Sequence, residues 1–155
     1  MTTKKNYPEI IEVIPHRPPM ILIDNIDEIG PDFMSAHVRI TDTSLFLEKG
    51  KGVPVWVGLE YMAQTIAAFV GAEDKKKGET IKLGFLLGTR RFETKVSYFS
   101  LGEKLNIRIS RILQQNELGQ FLCSINDQNN QELASAKISA YLPKDSNEFF
   151  RSQGL

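Results

Sequence analysis

The chain has 155 residues, of which 41% are hydrophobic and 25% are charged, and this profile fits one globular domain rather than two. Its 19 basic residues balance its 19 acidic ones. The sequence therefore lacks the excess of positive charge that binds duplex nucleic acid, and we expect no nucleic-acid partner. The lone Cys123 excludes an internal disulfide, and the first residues lack the apolar run of a secretory signal, so we expect a cytoplasmic protein.

The first part of the chain predicts a short helix followed by two extended segments. The helix is expected around 8–13 and ends near Pro15, because proline cannot continue a helix. An extended run covers 20–29, and a turn follows at residues 30–32. A strand over 33–41 is then predicted from its alternation, which places small and β-branched residues on one face.

A long helix is predicted over 55–72. Apolar residues recur there at spacings of three and four and form one stripe that we expect to be buried. The stripe consists of Trp56, Leu59, Ala63, Ile66, Ala67 and Val70. The segment 52–72 is nearly uncharged, but a carboxylate such as Glu60 costs about 2.5–3.5 kcal/mol at bilayer depth. A buried helix explains the composition better than a membrane span, so we expect no membrane partner.

The second half of the chain predicts four long strands, over 81–96, 104–113, 119–127 and 132–142. The glycines of Gly84-Phe-Leu-Leu-Gly88 would lie near the middle of the sheet, where glycine marks a bulge or a close approach to a ligand. The sequence therefore predicts an α+β domain over residues 1–143, with a curved antiparallel sheet around the helix, and a polar tail over 144–155. The open edge of such a sheet predicts a dimer.

Glu60 and Gln64 are the most informative residues of the long helix. Glu60 falls at the margin of the apolar stripe, where it either reaches solvent or an arginine, or acts as a general acid in an apolar pocket. Gln64 lies one turn further along the same flank, within reach to orient the carboxyl group.

His16 lies between prolines, which suits a residue that is held in place, although a turn histidine that only packs fits the same pattern. His37 alternates away from the apolar face of its strand and is expected at the surface. Two histidines and one cysteine do not make a zinc cluster, and no triad motif or nucleotide-binding glycine motif occurs. We therefore expect neither a metal nor a cofactor.

Three segments resemble an enzyme family. Ile14-Pro-His-Arg-Pro-Pro-Met-Ile-Leu-Ile-Asp24 resembles the N-terminal motif of hotdog-fold 3-hydroxyacyl-[acyl-carrier-protein] dehydratases. Glu60-Tyr-Met-Ala-Gln64 resembles the Glu-x-Met-Ala-Gln segment of their central helix. Residues 54–64, together with Gly84-Phe-Leu-Leu-Gly-Thr-Arg-Arg-Phe92, are similar to the ApeP-type dehydratases of aryl polyene biosynthesis. The resemblance covers residues 7–143.

The resemblance implies a hotdog fold, dimerised so that two sheets join, with a tunnel for an acyl chain on the phosphopantetheine arm of an acyl carrier protein. In this family a histidine removes the C2 proton, and a carboxylic acid on the helix of the other subunit protonates the departing C3 hydroxyl. Glu60 matches that carboxylic acid. Backbone amides bind the thioester carbonyl in the family, and Gly58 and Gly88 match them by position.

The sequence departs from the family at the catalytic histidine. Fatty-acid dehydratases carry it in a Gly-His-Phe-Pro-Gly loop fourteen residues before the glutamate, and Phe46 stands at that position here. His16 matches a different histidine of the family, which lines the far part of the tunnel. We hypothesise that His16 acts as the base opposite Glu60, in a pocket reshaped around Trp56.

Three functions remain open from the sequence. The first is an active dehydratase that forms a trans-2-enoyl thioester, with Glu60 and His16 as acid and base and with Trp56, Gly58, Gln64 and Gly88 as substrate-binding residues. The second is a non-catalytic or half-catalytic hotdog subunit that binds acyl-loaded carrier protein in a heterodimer. The third is a hotdog thioesterase, in which the helix carboxylate activates water.

Overall fold

A computed structural model gives the structure of the chain and describes residues 6–82 and 84–143. The described part contains two α-helices, one 3₁₀ turn and eight strands. In chain order they are α1 (Ile10–Val13), β1 (Asn25–Ile29), β2 (Phe33–Arg39), β3 (Val53–Pro54), the 3₁₀ turn (Val55–Val57), α2 (Gly58–Lys76), β4 (Phe85–Thr94), β5 (Tyr98–Phe99), β6 (Lys104–Gln115), β7 (Leu118–Asn126) and β8 (Glu132–Tyr141).

Six of the strands form one antiparallel sheet in the order β1-β2-β6-β7-β8-β4, and β3 pairs with β5 in a separate two-stranded ladder. This is the α+β arrangement predicted from the sequence. The expectation that the strand containing Gly84 and Gly88 lies near the middle of the sheet is wrong. Gly88 lies on β4 and Gly84 directly precedes it, and within the described residues β4 pairs only with β8 and so forms an edge of the sheet. The next strand of the sheet along the chain, β6, lies between β2 and β7 and does not pair with β4.

Helix α2 packs one face against the sheet. The large side chains on this face include Met62 and Phe69, which are fully buried, and the ring of Phe69 meets the ring of Phe121 on β7 edge-on. Full burial of side chains of this size stabilises the fold by about 1.5–3 kcal/mol each. Gly71 lies where a Cβ atom would overlap the backbone of Val13, so the absence of a side chain lets α1 pack directly on α2.

The predicted apolar stripe of the helix is not its most buried face. Trp56 is 58% exposed, and Leu59, Ala63, Ala67 and Val70 are only partly buried. The core face is rotated from the stripe and consists mainly of Tyr61, Met62, Thr65, Ile66, Ala68 and Phe69. Helical periodicity cannot separate the two faces, because both are apolar. Ala63, Ala67 and Val70 of the partly buried stripe border the groove described below.

Several predicted boundaries differ from the observed ones. The long helix continues beyond 72 to Lys76, and its first turn is a 3₁₀ turn. The extended run over 20–29 becomes a strand only from Asn25 onward, since residues 20–24 form a non-strand segment that crosses α2. The segment between the predicted strands over 81–96 and 104–113 contains the short strand β5. The polar tail over 144–155 lies outside the described residues.

One helical segment, Val55–Lys76, is long and apolar enough to span a membrane by length and composition. Just over half of its most apolar stretch, 56%, is buried inside the fold. The interior of the protein therefore accounts for part of the apolar character of this segment.

Candidate active site

His16 is held in a stiff loop between α1 and the sheet. The neighbouring Pro15 and Pro18 restrict the backbone on both sides. The guanidinium group of Arg17 donates a hydrogen bond to the carbonyl of His16 at 2.7 Å and another to the carbonyl of Ile14 at 3.2 Å. Because Ile14 is itself buried, these contacts fix the position from which the imidazole projects.

Gln64 ties this loop to helix α2. Its Oε1 atom accepts a hydrogen bond from the backbone amide of Leu22 at 2.9 Å, and its Nε2 atom donates to the carbonyl of Met20 at 2.8 Å and to Oε1 of Glu60 at 2.9 Å. A backbone amide can only donate and a carbonyl can only accept, so these two partners fix the orientation of the Gln64 amide. The carboxylate of Glu60 therefore faces the N–H donor of Gln64 and not its carbonyl oxygen.

The imidazole of His16 and the carboxylate of Glu60 lie side by side. Nε2 of His16 is 3.6 Å from Oε1 of Glu60, and the two side chains are 29% and 42% exposed. Nδ1 of His16 is buried and has no hydrogen-bond partner within the described chain. An unpartnered buried nitrogen in a native structure calls for an explanation, and a catalytic role is one of the recognised ones.

An apolar groove of about 200 Å³ extends from this pair between α2 and the sheet. Its walls come from α2, from the start of β4 and from the end of β8. Besides the acid–base pair, it is lined by Pro15, Ala63, Ile66, Ala67, Val70, Lys82, Gly84, Phe85, Leu86, Ile138, Ala140 and Leu142. The small side chains of Ala63 and Ala67 leave the space open along the helix. Most of the lining side chains are apolar, as is typical of sites that bind apolar ligands.

The two glycines predicted to bind a thioester carbonyl differ in their surroundings. The amide of Gly58 already donates to the carbonyl of Val55, and a Cβ atom at Gly58 would lie 3.0 Å from Cδ1 of Ile125. Close packing therefore explains why this position is glycine. Gly88 lies on the edge strand β4, and a Cβ atom there would meet nothing within 4 Å. A ligand could approach the backbone closely at Gly88.

Trp56 lies outside the groove in this chain. Its ring packs against the ring of Phe46, with the centroids 5.7 Å apart, and both side chains are exposed. Phe46 has a φ angle of 69°, in the left-handed region that a bulky residue rarely adopts. The position at which related dehydratases carry a histidine thus presents an aromatic side chain on the surface of this subunit.

His37, expected at the surface, is partly exposed on β2 and faces Asp27, with Nδ1 2.8 Å from Oδ1. Sequence reasoning missed Lys82, which lines the groove. Lys82 precedes β4 in a segment with no periodic pattern, so only its position in the fold identifies it. Among residues 6–82 and 84–143, no group of three or more His, Cys, Asp or Glu residues is placed to hold a metal ion.

Comparison with known sequences places the chain in an enzyme family. The model of the ApeP-like family, described as ApeP dehydratase, matches residues 8–151. The 3-hydroxyacyl-[acyl-carrier-protein] dehydratase FabZ of Oceanobacillus iheyensis is 31% identical over 119 residues, which is 72% of this chain and 81% of that protein. FabZ of Lactiplantibacillus plantarum is 27% identical over 121 residues, which is 74% of this chain and 79% of that protein.

Comparison with solved structures gives the same result. The dehydratase heterocomplex ApeI:P from Xenorhabdus doucetiae contains a chain that is 26% identical, with a TM-score of 0.89 over 97% of this chain and 100% of that one. The PaaI protein from the phenylacetic acid degradation operon of E. coli matches with a TM-score of 0.60 over 75% of this chain and 80% of that one, at 12% identity, and shows the fold alone. The chain is therefore a hotdog-fold protein that belongs to the ApeP-like family of dehydratases.

Proposed function

We propose that this chain is a 3-hydroxyacyl-[acyl-carrier-protein] dehydratase subunit in which His16 and Glu60 carry out acid–base elimination. The observation that carries the proposal is the 3.6 Å separation of the two side chains at one end of an apolar groove. A base and an acid that act on neighbouring carbon atoms must lie close together, and this pair does.

The proposed reaction removes water from a 3-hydroxyacyl thioester. The imidazole of His16 takes the proton from C2, and the electron pair of that C–H bond forms the C2=C3 double bond. The C3–O bond breaks at the same time, and the leaving hydroxyl group takes a proton from the carboxylic acid of Glu60 and departs as water. The products are a trans-2-enoyl thioester, a protonated His16 and an ionised Glu60. Return of the proton from His16 to Glu60, across the short gap between them, resets the site.

The surroundings of the pair support this assignment. The unpartnered Nδ1 atom leaves His16 free of a competing structural hydrogen bond, while Arg17 holds its backbone. Gln64 keeps Glu60 in one orientation through an amide that the loop backbone has already fixed. The empty space beside Gly88, where a Cβ atom would meet nothing within 4 Å, suits the approach of a thioester carbonyl. An amide hydrogen bond to that oxygen would stabilise the charge that develops when C2 loses its proton. The substrate contact of Trp56 stays a prediction. Because Trp56 lies outside the groove of its own chain, a partner subunit would have to bring the substrate to it.

The test is an assay of the purified protein with a 3-hydroxyacyl-pantetheine thioester, followed by the absorbance of the enoyl product. We expect turnover by the wild type and a loss of about 10²–10⁴-fold in kcat for Glu60→Gln and for His16→Ala. The matched controls are Glu28→Gln, at an exposed carboxylate on β1, and His37→Ala, at the other histidine. Wild-type rates in His16→Ala would overturn the role of His16, and release of free thiol would identify hydrolysis instead.

A second function is favoured by the surface position of Phe46 where related dehydratases carry histidine. Under this alternative, the chain is the partner of a hotdog subunit that has the histidine loop, and the solved ApeI:P heterocomplex is a precedent for such a pairing. The two functions separate when the chain is mixed with a subunit of that kind. If the pair turns over substrate while the chain alone does not, and His16→Ala leaves the activity of the pair unchanged, the partner function is correct. If the chain is active alone, the first proposal stands.

A further inference from the structure

We infer that Lys82 closes the far end of the groove and sets the length of the acyl chain that the protein accepts. This inference rests on the proposed function only in that the groove takes an acyl chain, and it concerns the end of the groove away from the acid–base pair. Lys82 is absent from the motifs of the sequence and has no place in the proposed proton transfers.

The position of Lys82 follows from its contact with the end of helix α2. The groove runs along one face of that helix, from Glu60 past Ala67 to Val70. Val70 is ten residues beyond Glu60, which corresponds to about 15 Å at the helical rise of 1.5 Å per residue. Nζ of Lys82 lies 3.7 Å from Oδ1 of Asp74, one turn further along. Lys82 therefore stands at the opposite end of the groove from the reacting groups.

The side chain of Lys82 is held with its charged end away from the groove. Nζ donates to Oε2 of Glu79 at 2.8 Å and also faces Asp74, and neither acidic residue lines the groove. The groove wall is therefore formed by the aliphatic part of the lysine, in the way that long charged side chains cover apolar surface while the charge stays near its partners. An acyl chain that reaches this point meets methylene groups anchored by two carboxylates.

The neighbouring wall leaves little room for a chain to pass around the lysine. A Cβ atom at Gly84 would approach Cδ2 of Leu142 to 2.8 Å. The residue before β4 and the residue after β8 are therefore already in close contact. The wall opposite is the helix itself at Val70. Among the residues at this end of the groove, Lys82 has the longest side chain. Shortening that side chain should therefore open the end of the groove.

The experiment measures kcat/KM of the protein for saturated 3-hydroxyacyl-pantetheine thioesters from butyryl to hexadecanoyl length. Lys82→Ala removes three carbons and the ammonium nitrogen, so we expect the longest well-accepted chain to increase by about four carbons. For chains of that added length, kcat/KM should rise at least about tenfold in the variant while short substrates change little. Lys82→Met keeps a long aliphatic side chain without the charge and should retain the wild-type length profile. Lys95→Ala, at an exposed lysine, is the control.

The length profile separates the inference from the proposed function. Normal turnover with an unchanged profile in Lys82→Ala overturns the inference and leaves the proposed function intact. If the wild type turns over no thioester, the proposed function fails, and the same series is measured as displacement of a fluorescent fatty-acid probe from the protein. A shift to longer chains in Lys82→Ala then still supports the inference, while the absence of binding or an unchanged binding profile overturns it.

Discussion

The carboxylate of Glu60 and the amide of Gln64 lie one turn apart on helix α2 and are joined by a hydrogen bond of 2.9 Å. The same amide binds two backbone groups of the loop that follows His16. One buried side chain thus connects the proposed acid on the helix to the loop that carries the proposed base. This connection explains how a short motif on the helix and a proline-rich segment more than forty residues earlier form one site.

Replacing Gln64 by leucine should destabilise the protein as well as the site. The substitution leaves the amide of Leu22 and the carbonyl of Met20 without their partner, and each unpaired group that stays buried costs about 1–3 kcal/mol. We expect a lower free energy of unfolding in urea together with reduced turnover. The control is Thr65→Val at the next position, because the hydroxyl of Thr65 binds only the carbonyl of Tyr61 within the helix. Equal losses in the two variants would contradict the linking role of Gln64.

His16 and Glu60 should behave as one functional unit. If both proton transfers belong to the same elimination step, His16→Ala and Glu60→Gln each remove most of the catalysis, and the double variant loses little more than either single variant. A double-mutant cycle on kcat measures this. If the activation free energies lost in the two single variants added up to the loss in the double variant, the two side chains would act independently. The proposal that they share one elimination step would then be wrong.

The sequence predicted the fold class more successfully than it predicted the surroundings of the site residues. Alternation placed Ala36, Val38 and Ile40 on one face of the strand predicted over 33–41, and all three are in the core, with Ile40 directly after β2. This prediction succeeded because a half-buried strand has one apolar face and one polar face. The 3.6 Å separation of His16 and Glu60 could not be predicted in this way, because no local pattern links positions 16 and 60 and the resemblance matched His16 to a histidine in the far part of the tunnel.

The groove could not be predicted from periodicity, because the apolar stripe of the helix contains both core and groove positions. Ala63 and Val70 lie in the stripe and line the groove, while Phe69 beside them packs into the core. Only the placement of the sheet around the helix distinguishes them. The edge position of β4 was missed for a related reason, since chain order does not give the order of strands in a sheet when a helix intervenes.

Two acidic residues beside Lys82 should give opposite pH dependences of stability. Burial raises the pKa of Asp74 above its ordinary value of 3.8, so the folded state loses stability as the pH rises from that value through the raised pKa. The hydrogen bond from Lys82 lowers the pKa of Glu79 below 4.5, so that residue contributes stability that is present at neutral pH and lost as the pH falls. The stability of Asp74→Asn relative to the wild type should therefore increase as the pH rises above the ordinary value of 3.8.

Glu79→Gln serves as the comparison for this measurement. Its stability relative to the wild type should fall as the pH rises towards the ordinary value of 4.5, because the variant lacks an interaction that the ionised carboxylate makes with Lys82. Urea unfolding at several pH values gives both curves. If the stability of both variants relative to the wild type changed with pH in the same direction, the opposite pKa changes of Asp74 and Glu79 would be wrong.

Cys123 should be chemically inert in the folded protein. It is buried on β7, and burial raises the pKa of its thiol to about 12, so very little thiolate forms near neutral pH. We expect no reaction with a disulfide reagent until the chain is unfolded by urea. Ser97→Cys provides an exposed thiol as the control and should react in the native state. Rapid labelling of native wild-type protein would mean that the sheet opens readily at β7.

The exposed edge of β4 should be the surface through which two hotdog subunits associate. Leu87 on this strand is 59% exposed, and β4 pairs on one side only, with β8. An unpaired edge with apolar side chains is a template for a further strand, and a lysine there opposes pairing. We expect the wild type to sediment as a dimer and Leu87→Lys as a folded monomer. Leu122→Lys changes a leucine that is 51% exposed on β7, inside the sheet, and should leave the dimer intact. Sedimentation of Leu87→Lys at the wild-type mass would place the subunit contact elsewhere.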